Sequence, residues 1–187
     1  MTPVSARSSG ARIAPHLDLQ VVDNIDGFVD LREEWGAAVD ADPDPNVFLT
    51  WPWARTWWTH FGSDAELHLV VIRDAEGIVA IAPLFRSRPG VGPLRARTLQ
   101  RIGHDAGDYG GIVLPRRGVD AVGALIDHLA DELLQGRAGA VVLSRLASDA
   151  RFSVLLGAEL ARRAADVADV AAVTEPLAEA CLFTDVR

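Results

Sequence analysis

Four of the chain's five tryptophans, Trp51, Trp53, Trp57 and Trp58, fall in one short stretch, Phe48-Leu49-Thr50-Trp51-Pro52-Trp53-Ala54-Arg55-Thr56-Trp57-Trp58-Thr59-His60-Phe61-Gly62. No other feature constrains the fold as tightly. Thr50 suits an N-cap, Pro52 fits a first turn where its missing N–H would be unpaired anyway, and Gly62 supplies a stop, so the stretch is expected to be one short helix. Ala54, Trp57, Trp58 and Phe61 follow the i, i+3, i+4, i+7 spacing of an apolar stripe. Trp51 and Trp53 stand at the helix entrance, outside that stripe. There a flat ring either packs or lines a pocket, which makes both residues candidates for gripping a substrate or a partner.

With 187 residues, 49% of them hydrophobic, the chain suffices for one domain with a real core and falls short of two. The expected organisation is a loose tail over residues 1–16 and a single domain over 17–187. A formal net charge of −8 with no concentrated basic patch argues against a nucleic-acid partner or an anionic membrane surface. All 18 basic residues are arginine, which removes Schiff-base and phosphate-loop lysine chemistry. Cys181 is the only cysteine, so an intrachain disulfide and a cysteine-based zinc site are both excluded, and a reducing cytoplasm fits. No apolar run has the length of a membrane span or of a secretion signal.

Along the chain, Phe28, Leu31, Trp35, Ala38 and Val39 repeat at helical spacing, and the acidic, proline-bearing run from Asp40 to Asn46 ends that helix. Leu67–Arg73 and Ile78–Phe85 read as strands joined by the turn Asp74-Ala75-Glu76-Gly77. Arg97–Ile102 alternates weakly, Gly103–Gly111 is a glycine-rich loop, and Ile112–Leu114 is strand-like. Val119, Val122, Leu125, Ile126, Leu129 and Leu133 mark an amphipathic helix, Ala140–Leu143 a buried strand, and Phe152, Leu155, Leu156 and Leu160 a further helix. Val167–Val173 and Cys181–Val186 supply two last candidate strands. The sum is an α/β fold, a mixed sheet that opens on an antiparallel hairpin and carries helices.

Glu34-Trp35, the tryptophan stretch, the hairpin Val71-Ile72-Arg73-Asp74-x-x-Gly77-Ile78-Val79-Ala80-Ile81-Ala82-Pro83-Leu84, Asp108-Tyr109 and Cys181-x-Phe183-x-Asp185 together resemble the CelD-like acetyltransferase family of the GNAT superfamily. The resemblance spans roughly residues 28–187. It implies a GNAT-like mixed sheet with helices on both faces, acetyl-CoA as cofactor, an amine substrate, and acyl-CoA-dependent N-acyl transfer in a bacterial cytoplasmic protein. Members of that family usually carry two such halves in tandem, and this chain resembles the first. A second GNAT-like domain or subunit, or a second copy in a homodimer, is the implied partner.

The superfamily binds the cofactor's pyrophosphate on bare N–H groups where a strand gives way to a helix, at Arg/Gln-x-x-Gly-x-Gly/Ala. The corresponding segment here is Pro115-Arg116-Arg117-Gly118-Val119-Asp120. Pro115 offers no N–H, and Asp120 places a carboxylate where an anion must approach. Arg116, Arg117 and Gly118 remain the candidate cofactor residues. In the glycine-rich loop, His104 or Asp108 is the candidate base and Tyr109 the candidate acid that would protonate a departing thiolate. His16, His60, His68 and His128 show no metal-ligand spacing and read as surface or packing residues. Two functions from different classes therefore stand open: an N-acyltransferase, and a non-catalytic half that pairs with a catalytic one.

Overall fold

The computed structural model describes residues 16–88, 96–107 and 109–164. In chain order these form β1 (Asp18–Val22), α1 (Ile25–Asp30), α2 (Arg32–Asp40), a 3₁₀ turn at Val47–Leu49, and α3 (Trp51–Phe61). There follow β2 (Glu66–Asp74), β3 (Gly77–Ser87), β4 (Thr98–Arg101), α4 (Gly118–Leu134), β5 (Ala140–Val142) and α5 (Arg151–Ala164). The five strands make one mixed sheet in the order β1-β2-β3-β4-β5, antiparallel throughout except for the parallel β4–β5 pair.

β2 and β3 are near-continuous apolar runs because both faces of the sheet are covered. The two-residue period of a strand sorts their side chains. Leu67, Leu69 and Val71 point into one core with Phe28, Trp35, Ala54 and Trp57 of α1–α3. Val70 and Ile72 point into the other with Val122, Leu125 and Leu129 of α4 and Phe152 of α5. The hairpin turns at Ala75-Glu76, where the Asp74 carboxylate accepts from the Glu76 N–H and Gly77 takes φ +122°, a value that favours glycine.

Several sequence expectations change in the structure. The helix expected over Phe28–Val39 is two helices, parted at Leu31, with Asn24 capping the first. The strand β1 ahead of it escaped the sequence reading, although Leu19 and Val21 alternate with Asp18 and Gln20. Thr50 occupies the N-cap of α3 but does not cap it; its hydroxyl donates instead to the Val47 carbonyl at 2.7 Å and closes the 3₁₀ turn. In the expected α3 stripe, Ala54 and Trp57 are buried while Phe61, the last residue of the helix, is 59% exposed. On α4 the buried stripe runs through Val122, Leu125 and Leu129 to Glu132, so Val119 and Leu133 fall off it and are exposed. Strands expected over 167–173 and 181–186, and the tail, lie outside the described residues, apart from His16, which is exposed.

β4 is interrupted in a way that shapes the rest of the molecule. Ile102 donates to the Pro83 carbonyl at 2.7 Å, and the next residue to pair with β3 is Val113, which exchanges both backbone bonds with Ile81. Residues 103–107 and 109–112 thereby stand outside the β3–β4 pairing. The extruded segment packs toward the α3 side, with Gly107 against Phe48 and Gly103 against Trp53.

Candidate functional site

The start of α4 is where the sequence places a cofactor's phosphates, and here charge is already matched from within. Arg116 donates to Asp74 at 2.5 and 2.9 Å, to Glu76 at 2.8 Å and to the Gly77 carbonyl at 3.1 Å. Arg117 reaches Asp74 at 3.3 Å and Asp120 at 2.9 Å. Burial of the Asp74 carboxyl favours protonation, yet hydrogen bonds from Arg116, the Glu76 N–H and Arg117 prevail and lower it to about 2. These contacts tie the first turn of α4 to the β2–β3 turn. Arg117 itself adopts a left-handed backbone at the N-cap, with φ 49°.

Gly118 offers no opening either. A β-carbon there would lie 2.6 Å from Leu155 Cδ1, 2.9 Å from Arg151 Nη2 and 3.2 Å from Leu114 Cδ2, so the missing side chain makes room for α5. On the same side, the Asp42 carboxylate accepts from the Leu114 N–H at 2.5 Å, and Arg151 donates to the Leu114 carbonyl at 2.5 Å. A pyrophosphate approaching this helix start would meet the carboxylates of Asp74, Glu76 and Asp120, which already hold the two cations present. The residues do not fit the phosphates of acetyl-CoA.

The extruded loop carries the candidate acid and base. His104 packs between Trp57, at 6.0 Å between ring centres, and Phe85, at 5.5 Å. Its Nδ1 is buried without a hydrogen-bond partner among the described residues, 3.8 Å from Asp105 Oδ1. Burial lowers the imidazole pKa, with Asp105 partly opposing, so His104 is neutral at pH 7. Tyr109 lies instead toward Phe48, at 6.3 Å. Asp108 lies outside the described residues. The residue sequence reasoning passed over is Asp105, whose carboxylate accepts from the Trp57 indole N–H at 3.1 Å and fastens the loop to α3. Below the loop, Arg101 is 1% exposed and donates to the carbonyls of Ile102 and Gly103, holding the chain where it leaves the sheet.

Trp51 and Trp53 are both half-buried. Trp51 donates to the Phe28 carbonyl at 2.9 Å, meets the Phe28 ring edge-on, and carries the Arg32 guanidinium 5.3 Å from its ring centre. Trp53 stands edge-on to Phe48 at 4.9 Å, and its indole N–H is buried without a partner among the described residues. Each ring thus has a place in the domain's own packing.

Beside α3, an open cleft of about 750 Å³ has Trp57, Phe85 and Phe61 on its floor and Arg86, Arg88 and Arg97 along the ends of β3 and β4. On the opposite face of the sheet, the structure joins two histidines that the sequence leaves apart. His68 Nε2 and His128 Nε2 are 3.0 Å apart, beside Glu132. Arg86 donates to His68 Nδ1 at 3.2 Å and to Glu132 at 2.6 Å, and Arg137 donates to the other Glu132 oxygen at 2.7 Å. A guanidinium only donates, so His68 Nδ1 accepts, its Nε2 carries the proton, and His128 Nε2 accepts that proton in turn. Burial, aided by Arg86, lowers the His68 pKa to about 4. A metal ion here would need the His68 lone pair on the protonated nitrogen and would have to displace arginine from Glu132, so the arrangement is a hydrogen-bonded network. The His128-x-x-x-Glu132 spacing, one helical turn, is the sequence signal for it.

No protein-family model matches the chain, and no curated protein matches it. Among solved structures, it is similar to the ribosomal-protein-alanine N-acetyltransferase from Brucella melitensis biovar Abortus 2308, with 17% identity and a TM-score of 0.47, covering 89% of this chain and 99% of that one. Among the described residues, no helix is long and apolar enough to cross a membrane.

Proposed function

We propose that this chain is the non-catalytic half of a GNAT-type, acyl-CoA-dependent N-acyltransferase, completed by a second GNAT-like domain or subunit that holds acetyl-CoA and presents it to the amine substrate. Support for the GNAT side comes from the tryptophan helix and hairpin motifs, together with a sheet that opens antiparallel, turns parallel at β4–β5 and is covered on both faces. The non-catalytic side rests on one observation: the start of α4 is closed, its arginines held by Asp74, Glu76 and Asp120 and its glycine filled by α5.

Thermal unfolding with and without acetyl-CoA tests the reading. A ligand that binds only the folded state at one hundred times its Kd stabilises that state by about 2.7 kcal/mol. The midpoint is expected to stay within experimental scatter at millimolar acetyl-CoA; a clear upward shift that free coenzyme A competes away overturns the proposal.

A further inference from the structure

We propose that the cleft beside α3 binds a small zwitterion with an elongated apolar body, its carboxylate on Arg88 and Arg97 and its ammonium on Asp105 beside His104. The inference goes beyond the acyltransferase reading and does not depend on it.

The cleft, at about 750 Å³, lies within the size range of small-molecule sites, and its lining sets three aromatic rings, Trp57, Phe61 and Phe85, among a majority of polar and charged residues. The charges around it are arranged by the strands. Arg88 follows β3 and Arg97 precedes β4, so both stand at the same end of the β3–β4 ladder, just beyond the Ser87–Thr98 pair. Neither pairs with a carboxylate among the described residues. Arginines at neighbouring positions on paired strands suit a carboxylate, which the planar fork of arginine holds with two parallel hydrogen bonds.

Asp105 stands at the far end, past β4 in the extruded loop. Its Oδ1 receives the Trp57 N–H, while its side chain remains 53% exposed and so keeps a free oxygen for a cation. The neighbouring His104 is uncharged, so it does not repel a cation, and the Trp57 ring adds an aromatic face, a favourable surround for an ammonium group. Four residues of β4 separate the two ends, about 13 Å at the rise of a strand, a span that an eight-carbon chain and the reach of the arginine side chains cover together. The floor between them is Trp57, Phe61 and Phe85, and Phe61 is more than half exposed there, although it closes a helix whose other face is core.

Arg86, though it also lines the cleft, is held by Glu132 at 2.6 Å and Glu66 at 3.5 Å, which leaves Arg88 and Arg97 for a carboxylate and Asp105 for an ammonium. A molecule carrying both charges, spaced by an apolar chain, is complementary to that pair of ends.

The test uses the whole chain with four probes: 8-aminooctanoate, 4-aminobutyrate, octanoate and octylamine, followed through the fluorescence of Trp57 and its neighbours and by calorimetry. 8-Aminooctanoate is expected to bind at least about tenfold more tightly than each of the other three, worth about 1.4 kcal/mol per factor of ten. The double variant Arg88→Gln/Arg97→Gln is expected to lose that preference over octylamine, and Asp105→Asn, which keeps an acceptor for Trp57, to lose the preference over octanoate. Circular dichroism confirms that the variants fold. Equal binding of all four probes, no binding of 8-aminooctanoate at ~10 mM (weaker than about 3 kcal/mol), or variants that bind it like the parent would each overturn the proposal. Acetyl-CoA is absent from the experiment, so its outcome is separate from that of the cofactor test.

Discussion

Replacing Gly118 by alanine distinguishes a glycine that admits phosphate from one that admits a neighbouring helix. The new methyl carbon would lie 2.6 Å from Leu155 Cδ1 and 2.9 Å from Arg151 Nη2, both well inside contact distance. Arg151 cannot simply retreat, because it donates to the Leu114 carbonyl at 2.5 Å. Overpacking of this kind costs roughly 1–3 kcal/mol. The better helix propensity of alanine returns at most about 1 kcal/mol, and less in a first turn. A net loss of about 1–2 kcal/mol is expected, read by urea unfolding, with the melting midpoint falling by about 2–4 °C per kcal/mol for a chain of this size. Because the closest of the clashes is with Leu155, the cost of the alanine should shrink when it is made in a Leu155→Ala background, leaving the part due to Arg151, a coupling that a double-mutant cycle isolates. Gly118→Ala that leaves stability unchanged or raised, or a cost that is the same with and without Leu155, would refute the packing explanation.

Acid should weaken the fold through the histidine pair. The folded His68 pKa is lowered from 6.5 to about 4, so the unfolded chain binds more protons between those values, and stability present above pH 6.5 is lost as the pH falls toward 4, by at most about 3 kcal/mol; His68→Gln should flatten that slope in pH-dependent denaturation curves. Asp105→Ala removes the acceptor of the Trp57 indole and should cost about 1 kcal/mol while shifting tryptophan emission, whereas an unchanged spectrum would contradict the bond that fastens the loop. Asp74→Asn takes away the carboxylate shared by Arg116 and Arg117, so inorganic phosphate should then bind measurably where it does not bind the parent; equal weak binding by both would show the arginines were never held. If the chain docks onto a second domain or copy beside α3, sedimentation should show self-association that Phe61→Ser weakens, since that ring is 59% exposed; a monomer at all concentrations would count against the homodimer.

The elements that sequence periodicity could reach were those whose burial is uniform along one stripe or run. The Asp74–Gly77 turn, the α4 stripe from Val122 to Leu129 and the span of α3 needed only local spacing and turn chemistry. β1 was missed because an edge strand of five residues, with Leu19 and Val21 only half-buried between the exposed Asp18 and Gln20, gives too short an alternation to read. Glu132 was unreadable as a core residue because its partners, Arg86 and Arg137, are 46 and 5 residues away, and no local pattern announces that they converge. The same reason hid the pairing of His68 with His128, 60 residues apart. At the candidate cofactor segment, the sequence was informative about chemistry: Pro115 and Asp120 already argued against a phosphate cradle. What it could not supply was the cause of Gly118, which depends on how α5 crosses the start of α4.

Calorimetric titration of the intact chain with acetyl-CoA reaches the central claim most directly. With Arg116 and Arg117 held by Asp74, Glu76 and Asp120, and with α5 against Gly118, the expected result is no saturable heat in the range that corresponds to Kd ~10 μM, about 7 kcal/mol of binding free energy. A stoichiometric isotherm at or below that Kd, abolished by Arg116→Gln, would contradict the account and place the cofactor on α4 after all.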